Sequence, residues 1–177
     1  MRAKPLLILL LMTVLAGCGG GPKADVSIFM MGSQGIPSEV TDKLQQSLQT
    51  KLGAAPTVQI TTTPIFSMEK MVVEIAAGEN GILVLPTEQF KAMSAQGGYV
   101  PLDDVAKPED FPEGVLEIKE EGKPSTGKHL YGIPMDKTKW FQELKLNGKD
   151  LMAFIPANAP DQNKAKQVMK QIAQKSE

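Results

Sequence analysis

Three times in the first half of the chain a short apolar run leads through a loop into a stretch of helical period, and this recurrence narrows the fold more than any other feature. Val26-Ser27-Ile28-Phe29-Met30-Met31, closed by Gly32, reads as a buried strand, although a run this short does not exclude helix by its period alone. Ser38 then stands as the cap of a helix striped by Val40, Leu44, Leu48 and Leu52, with Gly53 as its stop. Thr57-Val58-Gln59-Ile60-Thr61 alternates as a strand does, and after Pro64 a second helical stripe runs through Met68, Met71, Val72, Ile75 and Ala76 to Gly78. Gly81-Ile82-Leu83-Val84-Leu85 is almost wholly apolar, the pattern of a strand covered on both faces in a parallel sheet. Thr87 caps a third helix carrying Phe90 and Met93, which Gly97-Gly98 ends. Right-handed crossovers return each strand to one sheet, so the expected fold class is α/β: three layers, a mainly parallel sheet with helices on both faces.

From Tyr99 to Lys128 the helical period is lost and Pro, Glu, Asp, Lys and Gly dominate, which predicts a long surface excursion, either functional or mobile. Within it, Glu117-Ile118-Lys119-Glu120-Glu121 reads as a solvated segment rather than a carboxylate pair for acid/base work. Leu130-Tyr131-Gly132-Ile133-Pro134 is a brief apolar return, read as a strand. Asn147-Gly148 lies between Trp140 to Leu146 and Leu151 to Ile155, a strong hairpin signal; a competing reading makes only Leu151 to Ile155 a strand. A helix from about Asn163, striped by Ala165, Val168, Met169, Ile172 and Ala173, closes the chain.

Cys18 is the only cysteine, and it follows Leu15-Ala16-Gly17 directly behind the apolar run Leu6 to Ala16 and the basic tip of Arg2 and Lys4. The layout resembles a bacterial lipoprotein signal peptide, too short to span a bilayer. The resemblance implies that the Cys18 thiol is acylated, that residues 1–17 are removed, and that the mature chain is held to membrane lipid on the extracytoplasmic face. Gly19 rather than Asp follows Cys18, so the inner-membrane retention signal of such leaders is missing. Residues 18–25 read as a flexible tether and 26–177 as one domain. Without the leader, 17 basic residues face 20 acidic ones, a net charge of about −3 that argues against nucleic acid as partner. No thiol remains for a disulfide or metal site, and His129 is the single histidine, so neither a multi-histidine zinc site nor a convincing Ser-His-Asp arrangement is provided. The chain is therefore read as no enzyme, with no cofactor.

A second resemblance rests on Gly81 to Asp104 (GILVLPTEQFKAMSAQGGYVPLDD), Lys128 to Asp136 (KHLYGIPMD) and the strand, loop and helix from Ala153 to Ala173. In order and content these segments resemble the extracellular solute-binding proteins that serve ATP-driven importers. That family has two α/β lobes joined by crossing strands, with solute clamped between them. This chain is about half as long, and after Pro134 it passes at once into the segments that resemble the return to the first lobe. The resemblance thus implies one lobe of a type II periplasmic-binding-protein fold, part of or derived from a carbohydrate or small-solute uptake system, its free ligand weakly held on an open shelf. The other reading is a cell-envelope interaction module that presents a sheet edge or the 99–128 loop to a permease or sensor protein.

A solute site in an open parallel sheet lies beyond the carboxyl ends of the strands. Here that edge holds Ser33 and Gln34 after the first strand, Thr62 and Thr63 after the second, and Thr87 and Glu88 after the third, with Asp136 beside the "YGIP" segment as a further candidate. Their hydroxyl, amide and carboxylate groups suit sugar hydroxyls; read structurally, Ser38 and Thr87 cap helices, and Gly32 and Gly35 permit a turn. Trp140 and Tyr131 suggest either a sugar-stacking platform or packing on the sheet. The methionines, Met30, Met31, Met68, Met71, Met93, Met135, Met152 and Met169, fall mostly on expected core faces and read as adaptable packing rather than soft metal ligands. Gly32 to Gly35 lacks the Gly-Lys-Ser/Thr of a phosphate loop.

Overall fold

A computed structural model describes residues 23–118 and 127–176; the leader, Cys18 and the Lys119 to Glu121 part of the acidic segment lie outside them. In chain order the strands are β1 (Val26–Met30), β2 (Val58–Thr62), β3 (Ile82–Pro86), β4 (Val115–Glu117), β5 (Lys128–Leu130), β6 (Ile133–Pro134) and β7 (Leu151–Phe154). The helices are α1 (Ser38–Leu52), α2 (Met68–Ala77), α3 (Thr87–Ser94), α4 (Lys139–Glu143) and α5 (Gln162–Ile172). Five strands form the main sheet in the order β2-β1-β3-β7-β6, and β4 pairs with β5 in a separate two-stranded sheet. β1 lies parallel to both β2 and β3, whereas β7 is antiparallel to β3 and to β6. β7 therefore runs against the other four, and the sheet is mostly rather than wholly parallel.

Strand alternation builds a core on each face. Ile28, Met30, Ile82, Val84 and Ala153 point to one side, where Leu44 and Leu48 of α1, Trp140 of α4 and Ala165, Val168, Met169 and Ile172 of α5 pack on them. Phe29, Leu83, Leu85, Met152 and Phe154 point to the other, against Met71 of α2 and Phe90 of α3. With helices on both faces, β3 has no polar side to offer, which is why Ile82 to Leu85 reads as an unbroken apolar run. Each of those four side chains is almost completely buried, worth about 1.5–3 kcal/mol apiece.

Local chemistry departs from the sequence expectation at several points. The expected hairpin at Asn147-Gly148 is absent, and the competing reading holds: only Leu151–Phe154 is a strand, and Lys139–Glu143 is a helix. Thr138 caps that helix by accepting from the Phe141 N–H. Its end is a Schellman turn, with Lys145 at φ 54° donating to the Gln142 carbonyl and Leu146 to that of Phe141. A helix lets the adjacent Trp140 and Phe141 share one core, where strand alternation would have separated them. Ser38 and Thr87 do not cap α1 and α3; Pro37 and Pro86 hold the cap positions, with no side-chain hydrogen bond, and Ser38 and Thr87 open the helices themselves. In α2 only Met71 of the expected stripe is fully buried, while Met68 and Val72 are exposed.

The 99–128 segment is only partly a surface excursion. Tyr99 stacks on Phe90 with ring centroids 5.0 Å apart and donates its hydroxyl to the Phe90 carbonyl at 2.6 Å. Burial holds the Tyr99 phenol above the usual tyrosine range. Val100, Leu102 and Phe111 are also buried. Gly114 is pressed against the backbone of Gly132 so closely that a Cβ there would stand 1.8 Å from the Gly132 carbonyl oxygen. Its own carbonyl accepts from the Tyr131 and Gly132 N–H groups, tying the excursion to the "YGIP" segment. That segment is split accordingly, Leu130 ending β5 and Ile133 opening β6.

Candidate functional site

The carboxyl ends of β1, β2 and β3 open on one edge, as the parallel register of these strands requires. Antiparallel β7 starts at the same edge, and β6, parallel to β3, ends there. Ser33 and Gln34 are exposed in the turn after β1, in which Gly35 donates to the Gly32 carbonyl. This turn is joined to the end of β2: Ile36 donates to the Thr63 carbonyl at 2.7 Å, and Thr63 donates to the Met30 carbonyl. Gly35 is required here, since at φ 75° a Cβ would lie 1.9 Å from the Pro64 carbonyl oxygen. Thr62 turns its hydroxyl to that of Thr41 in α1, 2.7 Å away. The Thr63 hydroxyl is buried with no hydrogen-bond partner.

Thr87 and Glu88 stand in the first turn of α3, where the Thr87 N–H donates to the Asp150 carbonyl at 2.7 Å and Glu88 is exposed. Asp136 is half-buried in the turn after β6, and a Cβ on Gly148 would meet its backbone nitrogen at 2.6 Å. The fold thus joins Ser33 and Gln34 to Thr62 and Thr63 through a hydrogen-bonded pair of loops. Thr87 and Asp136 border the 147–151 segment instead, with exposed Glu88 next in the chain to Thr87. Between the two groups, Ile36, Val40, Leu44, Phe141, Leu146 and Leu151 line an apolar dimple of about 130 Å³. Trp140 and Tyr131 do not make a platform, because Trp140 is buried on the α1 and α5 side of the sheet and Tyr131 on the α2 and α3 side.

A larger groove, about 430 Å³, lies at the opposite end of the sheet. Its floor is Ser27, Gln59 and Thr61, polar because no helix covers this face of β2, and its wall is the end of α2 with Glu79 and Asn80. Buried Asn80 accepts from the Ser27 hydroxyl at 3.0 Å and donates to Glu74 at 2.8 Å. Burial pushes the Glu74 carboxyl up, but hydrogen bonds from Lys70 and Asn80 outweigh it and hold the group below its ordinary value. Asp25, at the rim, accepts from Lys164 at 2.6 Å and from the Thr57 N–H and hydroxyl at 2.9 Å each, and these bonds hold its carboxyl well below the usual carboxylate range. Sequence reading passed over this network. Asn80 follows Gly78-Glu79 in what looks like an ordinary turn, and no spacing announces that its amide is buried.

Both sheet edges are closed to an added strand. On β2 the outward N–H groups of Val58 and Ile60 already donate to the Gln49 and Gln45 side chains of α1, each at 2.9 Å. β6 is two residues long and ends in Pro134. Among the described residues no three His, Cys, Asp or Glu side chains gather as a metal ion requires, and no helix is long and apolar enough to cross a membrane.

No protein-family model matches the chain, and no solved structure matches it. A protein of Bacillus subtilis (strain 168) named "Putative lipoprotein YteS" is 25% identical to it over 166 residues, covering 90% of this chain and 89% of that protein.

Proposed function

We propose that this chain is an extracytoplasmic lipoprotein, acylated at Cys18, whose α/β domain acts as a single solute-binding-protein-like lobe in or beside the uptake of a carbohydrate or other small solute. The observation that carries the reading is the similarity, along nine-tenths of the chain, to the protein named "Putative lipoprotein YteS", in a sequence that places one cysteine directly after Leu15-Ala16-Gly17. Acylation is compatible with the remainder of the molecule, in which no described helix is long and apolar enough to cross a membrane. The solute part draws support from the carboxyl edge. There the α1 and α3 N-termini lack side-chain caps, and Thr41 of α1 and Thr62 at the end of β2 bring two hydroxyls together, with the buried Thr63 hydroxyl next in the chain. The edge is shallow, so a solute held there keeps most of its hydration and binds weakly.

The two parts are tested separately. Mass spectrometry of the protein extracted from membranes should find Cys18 as the acylated N-terminus, and Cys18→Ser should leave the protein unanchored; an unmodified Cys18 defeats the anchor. Thermal-shift or calorimetric titration of the mature domain with mono- and oligosaccharides should give millimolar responses that Thr62→Val diminishes. Silence across the panel at millimolar ligand defeats the solute reading and leaves the anchor standing.

A further inference from the structure

The strongly exposed large apolar side chains among the described residues all fall on one short segment: Ile65 at 74%, Met68 at 47%, Val72 at 55% and Val73 at 60%. Met68, Val72 and the exposed Ala76 stand four apart along the outside of α2, with Val73 beside them and Ile65 just ahead of the helix. The other side of α2 sends Met71 and Ile75 into the core. A helix apolar on both sides has two faces to bury, and the sheet takes only one.

The course of the chain indicates what meets the other face. Lys23, Ala24 and Asp25, where the tether joins the domain, line the same groove as Glu74 and Gly78 at the C-terminal end of α2. Asp25 is fastened there by Lys164 and Thr57, so the point of departure is fixed relative to the helix. Five residues lead back from Lys23 to Cys18 and span at most about 17 Å, while the ten residues of α2 extend about 15 Å. A bilayer holding the Cys18 acyl chains therefore lies within about one length of α2 from the end of that helix, close enough for this face to reach it.

We propose that the outer face of α2 rests on the membrane in which Cys18 is anchored, its apolar stripe entering the boundary between headgroups and acyl chains. The inference depends on the acylation of Cys18 proposed above. Insertion is apolar rather than electrostatic: Lys70 is paired with Glu74, and Glu69 and Glu79 leave no basic excess on this side to attract anionic headgroups. The strands then run along the membrane plane, the crevice opens sideways, and α5, on the opposite face of the sheet, points away from lipid.

The test uses the full-length acylated protein carrying one added cysteine, Val72→Cys on α2 or Gln167→Cys on the exposed side of α5, each labelled with an environment-sensitive fluorophore. Both are reconstituted into phosphatidylethanolamine and phosphatidylglycerol vesicles. Both proteins should float with the vesicles. The label at position 72 should shift to the blue, be quenched by spin-labelled lipid and be indifferent to added salt, while that at 167 keeps its aqueous spectrum. Protein that fails to float refutes the anchor and this inference together. Protein that floats with an aqueous label at 72 refutes this inference alone. A blue shift that grows with protein concentration and resists quenching by lipid assigns the face to a second copy, which also overturns it.

Discussion

Removing the two glutamines that cover the edge of the main sheet should destabilise the domain and expose it to self-association. The Gln45 and Gln49 side-chain oxygens each accept from a β2 N–H at 2.9 Å. A net hydrogen bond of this kind contributes about 1 kcal/mol. Alanine recovers roughly 0.3 kcal/mol at each position through its better helix propensity. Gln49 also donates to the Gly53 and Pro56 carbonyls, so it should be the more damaging of the two single changes. The double variant Gln45→Ala/Gln49→Ala is thus expected to lose about 1.5 kcal/mol, a fall in Tm of about 3–6 °C for a domain of this size. Its bared N–H row should also template pairing with other chains. Calorimetry, with light scattering on samples of increasing concentration, reads both effects. Gln46→Ala, at an exposed position on the same helix, is the control. If the double variant melts within about 1 °C of that control and stays monodisperse, water serves the edge as well as the glutamines do, and the reasoning fails.

Asp25→Asn should remove an acid-sensitive contribution to stability. The native carboxyl titrates below its unfolded value, so its contribution is complete above about pH 4 and fades as pH falls further; denaturation midpoints of wild type and variant should differ most near neutrality and converge in strong acid. Gly114→Ala should force the excursion off Gly132 and lower stability by about 1–3 kcal/mol, measured by urea unfolding, and a variant as stable as wild type would mean that the close approach has room to relax.

Where local chemistry and tertiary demand agree, the elements follow from the residues. The strands at Val26, Val58 and Ile82, and the helices ending at Gly53 and Gly78, needed no knowledge of their neighbours. The apolar run at β3 announced a strand covered on both faces because a run of four large apolar side chains bounded by Gly81 and Pro86 is short for a helix and leaves neither face of a strand polar. The failures cluster where context prevailed. Asn-Gly favours a tight hairpin, yet burying Trp140 and Phe141 in one core required a helix and a longer return. Met68 and Val72 repeat at helical spacing as core residues do, and period alone cannot tell an inner face from an outer one. Tyr99 lies in a segment whose composition reads as loop, and only the nearby Phe90 and Phe154 rings make its burial favourable. The candidate site shows the same division: which loops share the carboxyl edge followed from parallel pairing, but not that a turn of α4 and the 144–150 segment would leave only a dimple there.

The chain by itself determined that this protein is α/β with three successive strand-helix units and that Cys18 is its single cysteine, because these depend on composition and short-range period. Tertiary structure alone decided the reversal of β7, the covering of the β2 edge by Gln45 and Gln49, the buried bond network of Asn80 and the outward face of α2. Each of these depends on which distant segment comes to lie alongside, and no local preference encodes that.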